Sequence, residues 1–434
     1  MKTFTTGATV LALSATTAMA AGLDRSGQSV AAIFSPGGTT TLSYGIVMPE
    51  VSGEDIAGGG SYDSVAEDYG QFGVSYTYDI NDKASFALII DNPYGADISY
   101  DSSPFTTRLG GTSADFNSVA LTGVARYKFS DRFSVFGGVS AERLDATVAL
   151  NGVGYATAIN LAGTARAIGV DAGTLGAALQ GDPAAAGALA PTILALPTST
   201  GNLATDLGNI GASVQANAGQ FLANGGYNFK MDKSTQPHYL IGAAYEIPDI
   251  AMRISGTYHF ETKHKADTTE TIYSPVAGSL VTVNDEVDFV TPQSFNLEAQ
   301  TGIAAGTLLT ATWRWTDFSA VDLVPTALGS DLVNLDDSNR YTLGVARQFS
   351  DKLAGSLTFS YEPEGDDLVS PLGPTNGLKG ISLGGRWTDG PLNISGGINY
   401  SVLGDAKAEV GGVAQAEMTD NHVVGIGFKL DMNF

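Results

Sequence analysis

The last residues of the chain, Asp420 to Phe434 (DNHVVGIGFKLDMNF), decide the fold class. Apolar or aromatic side chains stand at every second position, and polar residues or glycine fill most positions between them. Such alternation is typical of a β-strand, because successive side chains point to opposite faces. The predicted strand has one continuous face made of His422, Val424, Ile426, Phe428, Leu430, Met432 and Phe434.

The same alternation recurs along the chain. Most of the segments reach about ten residues or more, whereas strands of soluble proteins average about five or six. A tilted strand of about ten residues crosses the hydrocarbon layer of a bilayer. The sequence therefore predicts an all-β fold, a 14-stranded antiparallel transmembrane β-barrel. The predicted strands are 38–51, 70–80, 83–92, 115–129, 131–148, 238–247, 250–263, 286–302, 305–317, 339–349, 352–363, 376–388, 390–403 and 420–434.

The predicted connections alternate between tight turns and long loops. Six are short and seven are long, as expected for an even-stranded barrel with both termini on the periplasmic side. A backbone in lipid must satisfy its hydrogen bonds internally, so the sheet has to close.

Composition excludes several classes of protein. The chain has 434 residues, 22 Lys and Arg against 45 Asp and Glu, and a net charge of −23, which argues against nucleic acid as a partner. It has no cysteine, so disulfides and thiolate chemistry are excluded. No Walker, dinucleotide or zincin motif is present, and we expect neither an enzyme nor a cofactor or metal. An acidic loop around Glu362 and Asp366 can bind calcium, although a solvated loop is the simpler interpretation.

Residues 1–20 have the features of a secretory signal peptide. A positive start at Lys2 precedes a short apolar run, and Ala18-Met19-Ala20 forms an A-x-A cleavage site. We therefore expect the mature protein to begin at Ala21.

Residues 21–37 precede the first predicted strand of the barrel, which occupies 38–434. A barrel of fourteen strands leaves a lumen unless something fills it. The apolar run from Val30 to Phe34 favours a plug inside the barrel over a disordered leader.

The loop 149–237 is unusually long, and loops of that size are usually functional. Apolar residues at helical spacing predict short amphipathic helices on the extracellular side. Two interpretations remain open: the helices pack on one another as a cap, or they form an apolar groove that captures hydrophobic molecules. The groove residues are Leu161, Ile168, Leu175 and Leu179.

Three arginines fall on the polar, inward faces of predicted strands: Arg253, Arg314 and Arg386. Ion pairs between the plug and the wall account for such residues. A substrate carboxylate passing through the lumen also needs a cationic partner, since an unpaired buried charge is costly. We therefore predict these arginines as substrate-binding candidates as well.

Two motifs resemble the FadL-type family of outer-membrane fatty acid transporters. Residues 22–32 (GLDRSGQSVAA) resemble the start of the family's plug, and residues 91–97 (DNPYGAD) resemble the segment after its third strand. Ser35-Pro36-Gly37 stands where the family commonly has Asn-Pro-Ala. The resemblance implies passive uptake of long-chain fatty acids, a lumen pocket beside Ala21, Gly22 and Leu23, and exit sideways through the wall.

Several partners and alternatives accompany this hypothesis. We expect outer-membrane lipid and lipopolysaccharide around the barrel, and the barrel assembly machinery to recognise the terminal Phe434. A general diffusion porin, a structural or adhesive barrel, and an uptake channel for aromatic hydrocarbons remain alternatives, because an apolar pocket discriminates poorly among hydrophobic molecules.

Overall fold

The computed structural model describes residues 23–434, so the predicted signal peptide and the candidate site residues Ala21 and Gly22 lie outside the described part of the chain. Fourteen strands form the wall. They are β1 Thr39–Asp55, β2 Tyr69–Asn81, β3 Ala84–Asp91, β4 Ser113–Lys128, β5 Phe133–Leu150, β6 Tyr227–Ile247, β7 Met252–His259, β8 Ser294–Ala304, β9 Thr307–Thr316, β10 Ser338–Gln348, β11 Leu353–Glu362, β12 Leu378–Asp389, β13 Leu392–Leu403 and β14 Val413–Asn433.

The wall is a closed antiparallel barrel. Each strand pairs with the next along the chain, and β14 pairs with β1 in a register that runs from Thr39 opposite Asn433 to Asp55 opposite Ala416. Closure leaves no wall strand as a sheet edge, which a backbone in lipid requires. The predicted fold class, a 14-stranded antiparallel β-barrel, is confirmed.

Side-chain alternation matches the two environments of the wall. On β1, Leu42, Tyr44 and Ile46 point outward and are 44–54% exposed. Thr41 and Ser43 lie on the opposite face, where the Thr41 hydroxyl donates to Asp431 at 2.7 Å. The apolar face therefore meets lipid, and the polar face lines the lumen.

The two ends of the barrel differ in their connections. At one end, tight turns join β2–β3, β4–β5, β6–β7, β8–β9, β10–β11 and β12–β13. The start of β1 and the last residue of β14 lie at the same end of the barrel. Phe434 N donates to Gly38 O at 3.2 Å there. This is the arrangement predicted for the periplasmic end, and the long loops leave from the opposite, outer end.

Several strands extend farther outward than the alternation predicts. β6 begins at Tyr227 rather than at residue 238, and β14 begins at Val413 rather than at residue 420. Most of the predicted loop 264–285 is a hairpin, with strands Thr262–Ser274 and Ser279–Thr291. These extensions stand above the membrane, where their outward faces carry residues such as Lys230 and Asp267 instead of apolar side chains.

Four helices fill the long loop between β5 and β6. They are α1 Gly152–Ile168, α2 Ala172–Leu179, α3 Pro183–Leu194 and α4 Leu203–Ala223. Asn151, Asp171, Asp182 and Asn202 cap their N-termini by accepting backbone N–H groups. Among the described residues, no helix has both the length and the apolarity that a membrane-spanning helix needs.

The outer loops fold over the lumen, and their apolar side chains pack in one core with apolar side chains of the wall strands. Tyr100, Leu109, Leu328 and Leu372 come from three different loops and are each 8% exposed or less. Tyr155 at the start of α1 belongs to the same core. The outer end of the lumen is therefore covered by packed side chains.

Candidate functional site: the lumen and a gap in the wall

Residues 23–37, called the N-terminal segment below, lie inside the barrel. The Asp24 carboxylate forms a salt bridge with Arg314 of β9, with Nε–Oδ2 at 2.6 Å and Nη2–Oδ1 at 3.0 Å. Arg314 also donates to Gln28 Oε1 at 3.1 Å, and Asn296 of β8 donates to the carbonyl of Gly27 at 2.9 Å. These contacts fix the segment to the wall strands β8 and β9.

The same segment pairs with the chain that follows β3. Gly95 N donates to Leu23 O at 2.8 Å, and Arg25 N donates to Pro93 O at 2.9 Å. The Arg25 side chain reaches Asp97 at 2.5 Å and lies over the ring of Tyr69 at 3.8 Å. The segment is therefore held on opposite sides of the lumen.

The wall has a gap where β3 ends. The ladder between β2 and β3 stops at the pair Val74–Ile90, and the chain turns inward at Asn92 and Pro93 to meet the N-terminal segment. Pro93 has no backbone N–H to offer a neighbouring strand. Pairing with β4 resumes only in the strand Gly95–Ser99.

Asn92 bridges the edges of this gap with its side chain. Its Nδ2 donates to Ser118 O at 2.8 Å on the β4 side, and its Oδ1 accepts from Phe72 N at 3.4 Å on the β2 side. One side chain thus makes a hydrogen bond to each edge of the gap.

A cavity of about 850 Å³ lies beside the N-terminal segment and extends to Ile90 and Asp91, the last residues of β3 before this gap. Its lining contains the inward-facing Gln71 and Ser75 of β2 and also Phe72 and Val74 from the outer face of the same strand. The volume falls in the range of about 300–1,000 Å³ that is usual for ligand pockets. The lumen and the lipid face of the wall therefore approach one another here.

The cavity has a mixed electrostatic character. Phe34 of the N-terminal segment lies between two guanidinium groups, Arg126 at 4.5 Å and Arg253 at 4.2 Å from its ring centre. Arg126 also forms a salt bridge with Glu246. The charged lining residues are four cations (Arg126, Lys128, Arg253, Lys429) and six carboxylates (Asp79, Asp82, Asp91, Asp131, Glu246, Glu298).

The structure separates the three arginine candidates. Arg314 is buried, and its guanidinium already donates to Asp24 and Gln28 of the N-terminal segment and to Ser294 and Asn296 of β8. Arg253 lines the cavity. Arg386, on β12, is half-buried and is not among the residues that line this cavity. Of the three, Arg253 alone is placed to meet a molecule in that cavity.

The helix residues and Leu23 lie elsewhere. The helices α1 to α4, called the helical cap below, share an apolar core. Leu175 is fully buried in this core, and Leu161, Ile168 and Leu179 pack partly buried against it. Leu23 is half-buried beside Tyr94 and Phe318. The helices therefore pack on one another, and a capturing role for these residues stays a prediction.

Two features of the lumen were not predicted from the sequence. The motif at residues 91–97 was singled out, but nothing in it located the gap between β2 and β3. The clustering of three buried histidines, His238, His259 and His264, was also missed. Nothing in the sequence pattern links them, and they come together only because each points inward from a neighbouring strand.

Within residues 23–434, no cluster of three or more His, Asp or Glu is arranged to hold a metal ion.

A lipid-facing, closed barrel with an occupied lumen defines the class of outer-membrane transport barrels. Residues 72–409 match the family described as "Outer membrane protein transport protein (OMPP1/FadL/TodX)", and the chain belongs to that family. The resemblance stated from the sequence is confirmed. The protein is accordingly an outer-membrane transporter of hydrophobic compounds.

Solved structures show the same fold at low sequence identity. A FadL homologue from Pseudomonas aeruginosa superposes with a TM-score of 0.65 at 14% identity, over 93% of this chain and 92% of that one. The toluene transporter TodX from P. putida gives 0.60 at 12% identity, over 93% and 92%. The toluene transporter TbuX from Ralstonia pickettii gives 0.56 at 13% identity, over 92% and 90%. No curated protein matches the sequence.

Proposed function

We propose that the protein takes up long-chain fatty acids passively and delivers them sideways into the outer membrane through the gap at Asn92 and Pro93. The observation that carries this proposal is the cavity of about 850 Å³, which touches the N-terminal segment on one side and, on the other, Phe72 of β2 and Ile90 and Asp91 of β3, next to the gap. A hydrophobic molecule released there enters lipid without crossing the aqueous periplasm, which is the favourable direction for apolar surface.

The N-terminal segment is proposed to act as the plug that controls this route. It contacts both the inward turn at Pro93 and the far wall at Arg314, so its movement changes the shape of the cavity and of the gap together. The covered outer end of the lumen argues against a general diffusion porin, since polar solutes need a continuous aqueous path.

Fatty acids and aromatic hydrocarbons are distinguished by charge. Arg253, beside the ring of Phe34, supports a carboxylate-bearing substrate. The excess of carboxylates over cations in the same lining favours an uncharged one, and two of the similar structures are described as toluene transporters. Uptake of uncharged monoaromatic hydrocarbons is therefore the second candidate.

The test of lateral release uses Pro93→Val, which restores a backbone N–H where the wall is interrupted. Uptake of radiolabelled palmitate by cells lacking other fatty acid transporters should fall at least about tenfold, while the barrel remains folded. Pro363→Val is the matched control, because Pro363 is an exposed proline just after the end of β11. Equal palmitate uptake in the two variants would contradict release through this gap.

The substrate class is tested with the unaltered protein in liposomes. Palmitate uptake that excess toluene leaves unchanged supports the fatty acid proposal. Toluene entry without palmitate entry supports the second candidate. Rapid swelling in small sugars would identify a porin instead. Deleting residues 155–212 in the same assay tests the role of the helical cap in capture.

A further inference from the structure

Three of the four histidines of the chain lie together in the lumen. His238 on β6, His259 on β7 and His264 on the outer hairpin are each 3% exposed or less. Buried ionisable side chains are uncommon, and histidine is the residue whose charge changes near neutral pH. The fourth, His422, lies on β14 and is more exposed, with its Nε2 3.3 Å from Glu50.

His238 and His259 are directly hydrogen-bonded. Nε2 of His238 lies 3.1 Å from Nδ1 of His259, and the two rings stack at 5.4 Å between centres. Nδ1 of His238 lies 2.8 Å from the Thr262 hydroxyl. In the bond between the rings, one nitrogen must donate and the other must accept. Two imidazolium ions would place two N–H donors against each other, so the arrangement requires that at least one ring stays neutral.

The pair lies against the strained turn of the N-terminal segment. Both histidines line a small cavity of about 20 Å³ together with Gln28, Ser29 and Val30. Gly27 and Gln28 have φ angles of +66° and +49°, and a left-handed conformation is unfavourable for glutamine. Gln28 is held there because its Oε1 accepts hydrogen bonds from Arg314 and Ser294.

Charged groups of β3, β5, β9 and the N-terminal segment lie near the pair. Arg314 of β9 is cationic and is neutralised by Asp24 of the N-terminal segment. Glu142 of β5 is engaged by His264 at 3.2 Å and by the Thr291 hydroxyl at 2.6 Å. Asp91 of β3, which lines the same small cavity, accepts from the Ser26 hydroxyl at 2.5 Å. Each nearby carboxylate thus has another partner, and none forms a hydrogen bond with His238 or His259 among the described contacts.

We propose that the His238–His259 pair is a proton-binding site that releases the N-terminal segment when the surrounding pH falls below about 6.5. While the N-terminal segment is bound, which is the closed form, the hydrogen bond between the two rings admits only one imidazolium ion, because two would set N–H donors against each other. When the segment moves away, the rings become hydrated and take up protons normally. Because only the released form binds the extra protons, acid shifts the equilibrium toward it, by about tenfold per pH unit for each histidine concerned.

This linkage sets the direction of the pH dependence. The closed form is favoured fully above the ordinary histidine pKa, and this preference is lost progressively as the pH falls below it. An acid-stimulated rise in uptake rests in addition on the proposed function, because it requires that the N-terminal segment controls the route. Movement of the segment itself does not depend on what is transported.

The experiment measures that movement with a nitroxide spin label. The chain contains no cysteine, so Ser35→Cys places a single label on the segment, and Asp351→Cys places a reference label on an exposed periplasmic turn. We expect the mobile fraction at Ser35 to rise at least about fivefold from pH 8 to pH 5.5 in the otherwise unaltered protein, with no change at Asp351.

Three substitutions decide whether the pair is the cause. His238→Gln and His259→Gln, each checked for a folded barrel at pH 8, should remove most of the pH dependence. His422→Gln should retain it. A mobile fraction at Ser35 that stays constant from pH 8 to pH 5.5 in the unaltered protein overturns the proposal. So does a full response in both His238→Gln and His259→Gln. If the unaltered protein shows the mobility response but takes up no palmitate, the proposed function is contradicted and the proton-binding site is not.

Discussion

Arg314 of β9 and Asp24 of the N-terminal segment form a two-contact salt bridge inside the lumen, at 2.6 and 3.0 Å, with both side chains 10% exposed or less. The bridge joins residues 290 positions apart in the sequence. It attaches a wall strand to the segment inside the barrel through two charge-assisted hydrogen bonds of defined geometry.

Removing one side of this bridge should detach the N-terminal segment. Arg314→Gln and Asp24→Asn each leave a buried charge without its partner, which costs about 3–5 kcal/mol. We expect the label at Ser35 to become mobile at pH 8, with the barrel still folded. The control is Lys352→Gln, because the Lys352–Asp389 pair is 61% and 52% exposed and contributes about 1 kcal/mol or less. An immobile label in both lumen variants would show that other contacts suffice.

The core of the helical cap provides a second prediction. Leu175 is fully buried among α1, α2 and α3, so Leu175→Ala should cost about 2–5 kcal/mol of cap stability. Because the cap is built on one loop, we expect faster amide exchange in residues 152–223 and unchanged resistance of the barrel to detergent. Leu194→Ala is the matched control, since Leu194 is 41% exposed. Equal exchange in the two variants would contradict a cap with its own core.

The strand number and order could be predicted from the sequence, and the outer extents of the strands could not. Inside the bilayer, an outward side chain must be apolar, so β1 and β14 carry a clear alternation. Above the bilayer, outward positions such as Lys230 and Asp267 face water. In these outer parts the strands therefore lack the apolar–polar alternation by which a strand is recognised in the sequence.

The lumen was predictable only in part. The alternation predicts that polar residues such as Arg314 point into the lumen. It also predicts that such a cation forms an ion pair with a residue of the plug. Which partner each one meets depends on how the N-terminal segment folds, and its turn at Gly27 and Gln28 has no repeating pattern. The contact between His238 and His259 depends on the register between β6 and β7, which places His259 opposite Leu240.

Acid should unfold the helical cap before the barrel. The backbone N–H and hydroxyl of Thr174 donate to Asp171 and lower the pKa of that carboxyl. The Ser199 hydroxyl and the backbone N–H and hydroxyl of Thr200 do the same for Asp206. Since the folded pKa lies below the unfolded one, this stabilisation is complete above about pH 4 and is lost as the pH falls through the folded value.

Circular dichroism between pH 6 and pH 2.5 checks this expectation. The helical signal should decrease below about pH 4 while the β signal persists. Asp171→Asn should weaken the cap at pH 6 and reduce the further loss on acidification, because its side chain no longer titrates. Asp63→Asn, an exposed position outside the helices, should behave like the unaltered protein. Simultaneous loss of both signals would show that cap and barrel unfold as one unit.

Glu270 should hold the outer loop 317–337 in place over the lumen. Its buried carboxylate accepts hydrogen bonds from the Tyr227 hydroxyl at 2.8 Å and from the backbone N–H groups of Ala327 and Leu328 at 3.0 and 3.1 Å. In Glu270→Ala these backbone donors lose their partner, at about 1–3 kcal/mol each. Hydrogen exchange by mass spectrometry should show faster exchange in residues 320–333.

Tyr227→Phe separates this role from general loss of packing. It removes one donor to Glu270 and keeps the ring, so the backbone contacts remain and exchange in the loop should change by about threefold or less. If the loop seals the outer end of the lumen, Glu270→Ala also raises the entry rate of hydrophobic probes. Slow exchange in Glu270→Ala would instead assign the closure to the apolar contacts of Leu323, Leu328 and Leu332.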